Sequence, residues 1–98
     1  MDEGISLHFI YRSKKKKSLK NISCDTKVAD LIKKGLQLFD LPTTDISQQT
    51  YNILIGSTPL NTEEDLDKTI FQKGIEDGDN ISIYNITEII LGKIFSSI

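Results

Sequence analysis

The chain has 98 residues, 12 of them basic and 14 acidic, for a formal net charge of -2. That total is a cancellation: residues 1–34 carry nine Lys and Arg against four acids, +5, and residues 35–98 carry three against ten, -7. At this length, with 38% hydrophobic and 27% charged residues, one soluble globular domain is expected, and the single Cys24 and single His8 exclude a disulfide framework, a CxxC redox pair and a Cys- or His-rich metal site.

The first element is a half-buried strand over residues 5–12. Ile5, Leu7, Phe9 and Tyr11 point one way; Ser6, His8, Ile10 and Arg12 point the other. Ser13 and Lys14–Lys17 make a charged break, and a second strand is predicted over residues 18–23. Leu19 and Ile22 do not share parity, which predicts a bulge or an early end to that strand. Thr26 is positioned to cap a helix over residues 27–39. Val28, Leu31, Ile32, Gly35, Leu36 and Phe39 form its apolar stripe, and Gly35 on that stripe suggests a close approach by a neighbour. Leu41-Pro42 ends the helix, because the residue before proline disfavours the α region.

A polar loop follows over residues 43–49, then a third strand in which Tyr51, Ile53 and Ile55 alternate with Asn52 and Leu54. Gly56-Ser57-Thr58-Pro59 turns the chain toward Leu60. Glu63-Glu64-Asp65-Leu66-Asp67 reads as a loop with a short helical turn, with Leu66, Ile70 and Phe71 tucked inward. Residues 74–79 form a tight turn into a last strand, Ile81 to Tyr84, with Ile81 and Ile83 facing the core. The order is β-β-α-β-(short turn or strand)-β, an α+β arrangement in which one main helix covers one face of a mixed sheet.

In this order, and in Asp25-Thr26 opening the helix, the Tyr51-to-Leu60 strand and turn, and Gly74-Ile75-x-Asp77-Gly78-Asp79 before Ile81-Ser82-Ile83-Tyr84, the chain resembles ubiquitin-like proteins of the β-grasp fold. In length and in lacking a conjugation tail it is also similar to the small ubiquitin-like proteins of bacterial type VII secretion systems. The resemblance covers residues 5–84 and implies a ubiquitin-like domain over 1–84, followed by an apolar, helical C-terminal tail over 85–98. Ubiquitin and the sulfur carriers of this fold end in Gly-Gly, a dipeptide found nowhere in this chain. The ferredoxin branch needs four cysteines and is excluded.

The resemblance places the first strand beside the last and the last beside the third, so Ile10, Tyr84 and Leu54 line up on the outward face with His8, Ser82 and Asn52 around them. Ubiquitin-like domains bind partners through an apolar patch on this face, and an apolar patch with a polar rim suits protein recognition. Arg12, Lys14, Lys15, Lys16 and Lys17 form a solvated basic hairpin tip suited to electrostatic contact with an acidic surface. Nucleic acid is disfavoured by the negative total and by the absence of aromatics among the lysines. Glu63–Asp67, Glu76, Asp77 and Asp79 read as turn-forming acids, not as a calcium loop. In the tail, Ile86, Ile89, Ile90, Ile94 and Phe95 share a helical face suited to docking on the domain or to a homodimer.

No nucleophile–base pair, metal-ligand spacing or phosphate-binding loop can be assembled, so neither catalysis nor a cofactor is expected. No apolar run reaches the ~18–20 residues that cross a bilayer, and the N-terminus lacks the basic and apolar regions of a secretory signal; a cytoplasmic location is expected. The expected function is a non-catalytic protein-interaction module and adaptor. The alternatives are a conjugated modifier matured by cleavage after Gly92 and an adaptor peripheral to an anionic membrane surface.

Overall fold

The computed structural model describes residues 4–12 and 15–86. The elements in chain order are β1 (Ile5–Tyr11), β2 (Lys15–Ile22), α1 (Val28–Leu38), β3 (Tyr51–Ile55), β4 (Thr58–Pro59), α2 (Glu63–Leu66), α3 (Ile70–Lys73) and β5 (Asn80–Asn85). The strands form one sheet in the order β2-β1-β5-β3-β4. Only the central β1–β5 pair is parallel. The predicted β-grasp is therefore the observed architecture, with α1 packed across one face of the sheet.

Alternation does most of the work of building the core. Leu7, Phe9 and Tyr11 of β1, Ile53 of β3, and Ile81 and Ile83 of β5 are buried and meet Val28, Leu31, Ile32 and Leu36 of α1. Gly35 lies on the same stripe, and a Cβ there would collide with the Phe9 ring. Close approach is thus what Gly35 supplies, as the spacing predicts. The loop between α1 and β3 is held from inside. The buried Tyr51 hydroxyl donates to the Pro42 carbonyl at 2.7 Å, and Asn61 Nδ2 donates to the Ile46 and Tyr51 carbonyls at 2.9 and 3.0 Å.

Four sequence expectations change in the fold. First, β2 begins at Lys15, so Lys15–Lys17 are strand residues paired with Tyr11, Ile10 and Phe9. An edge strand has one neighbour only, and lysines along it discourage pairing with other chains, so a basic run there is compatible with a strand. The predicted bulge is present: the register shifts between Ile5↔Ile22 and Leu7↔Leu19. Asn21 adopts a left-handed φ of 58° there, which returns the following Ile22 to the buried side.

Second, Thr26 does not cap α1. The N-cap position is Lys27, which makes no side-chain cap. The helix start is satisfied instead by tertiary backbone pairing: Val28 N–H donates to the Lys68 carbonyl at 2.8 Å, Ile70 N–H to that of Thr26 at 2.9 Å, and Phe71 N–H to that of Cys24 at 3.0 Å. Third, Phe71 is not tucked inward but is 67% exposed, while Ile70 is fully buried. Thr69 starts α3 with a reciprocal capping box with Gln72. Neighbouring helical residues point about 100° apart, so burying Ile70 turns Phe71 out.

Fourth, Asp65 is not a loop acid. It is buried at the end of α2 and paired with Lys73 at 2.8 Å and Lys68 at 3.1 Å. The hydrogen bond from Lys73, reinforced by that from Lys68, lowers its pKa to about 2. Of the acids of the last turn, Asp79 serves as predicted, accepting from Glu76 N–H at 2.9 Å, whereas Asp77 accepts from Ser6 N–H at 2.7 Å and ties the turn to β1. At the other end, β5 runs through Asn85, and Ile86 N–H donates to the Thr50 carbonyl at 2.9 Å.

Candidate protein-interaction face

The face of the sheet turned away from α1 is built by the complementary set of alternating residues. Cross-strand pairing places Ile10 opposite Lys16 on one side and opposite Ser82 on the other, and Ser82 opposite Leu54, which is opposite Pro59. One row therefore crosses all five strands: Lys16, Ile10, Ser82, Leu54, Pro59. With strands about 4.8 Å apart, Ile10 and Leu54 stand roughly 10 Å from each other across Ser82.

Tyr84 is paired with Asn52 in the adjacent row. The predicted straight line of Ile10, Tyr84 and Leu54 is therefore a triangle about Ser82, with Tyr84 on the diagonal from Leu54, about 7–8 Å between backbones and within reach of an aromatic ring. His8 lies on the other side of this row, paired with Ser18 and Asn80. Its Nδ1 is 2.6 Å from Ser18 Oγ. Ile10, Leu54, Tyr84, His8 and Ser82 are all half-buried, whereas Asn52 is exposed.

The basic run is divided by the strand pleat. Lys16 shares the open face with Ile10, whereas Lys15 and Lys17 are opposite the inward residues Tyr11 and Phe9. Lys17 reaches the helix: its Nζ donates to the Leu38 carbonyl at 2.7 Å and lies 5.6 Å from the Phe39 ring centroid. A cation at the last carbonyls of a helix is favoured by the backbone dipole, so Lys17 serves the fold. Arg12 closes β1 with a φ of 56° and its guanidinium 5.7 Å from the Tyr11 ring centroid. Lys14, Ile89, Ile90, Ile94 and Phe95 lie outside the described residues. Ile86 is half-buried just beyond β5.

Among the described residues no three His, Cys, Asp or Glu side chains converge on a metal position, and no helix is long and apolar enough to cross a membrane. Two features escaped sequence reasoning. Asn61 bridges two carbonyls from inside, and Asp65 gathers two lysines; both depend on residues 3 to 15 positions away.

No family model matches the chain, and none of the curated proteins is similar to it in sequence. Solved structures are similar in fold. A SUMO mimic that promotes DNA repair superposes with a TM-score of 0.66 at 19% identity over 85% of this chain and 92% of its own. The ubiquitin-like domain of Plasmodium falciparum Dsk2 gives 0.64 at 20% identity, over 83% and 96%. Ubiquitin from Caldiarchaeum subterraneum gives 0.63 at 14%, over 83% and 91%. The chain thus has the ubiquitin-like β-grasp fold, extending over nearly the whole of each of these proteins.

Proposed function

We propose that this chain is a non-catalytic ubiquitin-like module that docks on another protein through the open sheet face. The observation that carries this reading is the row Lys16–Ile10–Ser82–Leu54, with Tyr84 on its diagonal. It sets an apolar triangle beside a cation on a rigid sheet, and polar His8 and Asn52 rim it. Apolar contact supplies affinity in such an arrangement, and the cations steer an acidic partner and set orientation. Lys16 leads this contact, with Arg12 and Lys15 adding to the local positive potential.

The test is capture of partners from the source cells by the full chain and by Leu54→Arg. Leu54 is half-buried on the open face, so the variant should keep the melting temperature within a few degrees while losing the partners that the unmodified chain retains. Equal capture by both chains would remove the face from consideration, and a collapsed melting temperature would show Leu54 to be core. Intact-mass analysis of the same material addresses the modifier alternative. A form ending at Gly92, alone or joined to other proteins, would replace the docking-module reading.

A further inference from the structure

Ser18 is exposed in β2, a strand at the edge of the sheet. Pairing places it opposite His8 on the open face, with its Oγ 2.6 Å from His8 Nδ1. Lys16 and Lys20, two positions away on either side, share that face by strand alternation. Both are exposed, and neither enters an ion pair among the described residues. The acids at this end of the sheet, Asp77 and Asp79, accept from the backbone amides of Ser6 and Glu76. The Ser18 hydroxyl is thus set among two ammonium groups and an imidazole, all able to donate to an anion.

The chain around Ser18 is extended, with Lys15, Lys16 and Lys17 directly before it and Lys20 two places after. Protein kinases select extended substrate segments by their pattern of charge. β2 is paired on one side only and its lysines repel one another, so it opens more readily than a central strand. Ser82 makes the contrast: it lies in β5 between β1 and β3, and reaching it means breaking two pairings.

We propose that Ser18 is the acceptor for an ATP-dependent Ser/Thr kinase that reads basic residues, and that its phosphate closes the open face to acidic partners. The Ser18 Oγ attacks the γ-phosphorus of ATP, and its proton passes to the catalytic carboxylate of the kinase. The bond from that phosphorus to the bridging oxygen breaks, and ADP leaves. The product carries a charge of about -1.5 to -2 at pH 7, which offsets Lys16 and Lys20. His8 donates to a phosphate oxygen, and Lys16 is drawn away from the partner it would steer. Closure of the face rests on the proposed function above, whereas Ser18 as acceptor stands without it.

The full chain and Ser18→Ala are incubated with ATP and the catalytic domain of protein kinase C, which reads basic residues, or casein kinase II, which reads acidic ones. Phosphate is mapped by tandem mass spectrometry. Ser18 should be the main site for the first kinase and unmodified by the second. No phosphate at Ser18 from the first, or equal labelling from both, would overturn the site. Partner capture is then compared for the phosphorylated chain, the unmodified chain, Ser18→Ala and Leu54→Arg. Capture should fall about tenfold on phosphorylation, with the melting temperature within a few degrees, and Ser18→Ala should capture as the unmodified chain does. Undiminished capture by the phosphorylated chain would overturn the closure, and a collapsed melting temperature would replace it by unfolding of β2. Loss of capture in Leu54→Arg alone leaves the docking face standing without its switch. Full capture by that variant as well means that the docking reading has failed, with Ser18 still the acceptor.

Discussion

Two residues show how local chemistry is bent to the needs of packing. Gly35 weakens α1 by about 1 kcal/mol relative to alanine on intrinsic propensity alone, yet the Phe9 ring occupies the space a Cβ would need. Gly35→Ala should therefore lower stability by about 1–3 kcal/mol in chemical denaturation, because overpacking outweighs the gain in helix propensity. A stabilised variant would mean that Phe9 moves aside at little cost. Asp65 makes the complementary case for charge. Its pKa is lowered from 3.8 to about 2 by the Lys73 and Lys68 contacts. A carboxylate depressed in the folded state binds its proton more weakly than in the unfolded chain. Its contribution is complete above pH 3.8 and is lost as pH falls through 2. Lys73→Met should return the Asp65 pKa toward 3.8 and cost on the order of 1 kcal/mol at neutral pH. It should also flatten the stability profile between pH 4 and pH 2.

At the scale of elements, β2 is where sequence and structure part most clearly. Four consecutive lysines look like a turn because lysine has weak strand propensity and like charges repel. As an edge strand, β2 needs pairing with β1 only, and its alternation sends Lys16 to the open face and Lys17 to the helix end. The two lysines should therefore behave oppositely on substitution. Lys17→Met should lower the melting temperature by a few degrees and leave partner capture intact. Lys16→Met should leave the melting temperature unchanged and weaken capture most strongly at low salt, where surface charge is least screened. Matching behaviour of the two variants would contradict the division of the run. The start of α1 teaches the same lesson from the backbone: Thr26 has the right chemistry for a cap, but the chain at residues 68–71 pairs with residues 24–28 and supplies the partner itself.

Over the whole molecule, the charge asymmetry of the two halves becomes spatial. The basic half holds the edge strand and α1, and its cations divide between the open face and the helix side. The acidic half holds the β5 turn, where Asp77 and Asp79 cap backbone amides, and the cleft flanked by Glu63 and Glu64. The sheet face and the acidic loops thus lie apart in the fold: Leu54→Arg should abolish partner capture, and Glu63→Gln/Glu64→Gln should spare it. Loss of capture in both variants would contradict docking through the sheet face alone.

The sequence by itself determined the alternation of β1, β3 and β5, the stripe of α1, the bulge in β2 and the turn before β5. Each is written in contacts between residues close along the chain or in a side-chain period of 2 or 3.6. It also determined the inward core apart from Phe71, and placed Ile10, Leu54 and Tyr84 on the outward side. What the tertiary structure alone decided is which residues meet: the register that makes a triangle about Ser82, the carbonyl of Lys68 that replaces a Thr26 cap, the lysines that draw Asp65 inward, and the buried amide of Asn61. These depend on segments far apart along the chain, and their relative placement is set by packing of the whole core, to which no local pattern has access.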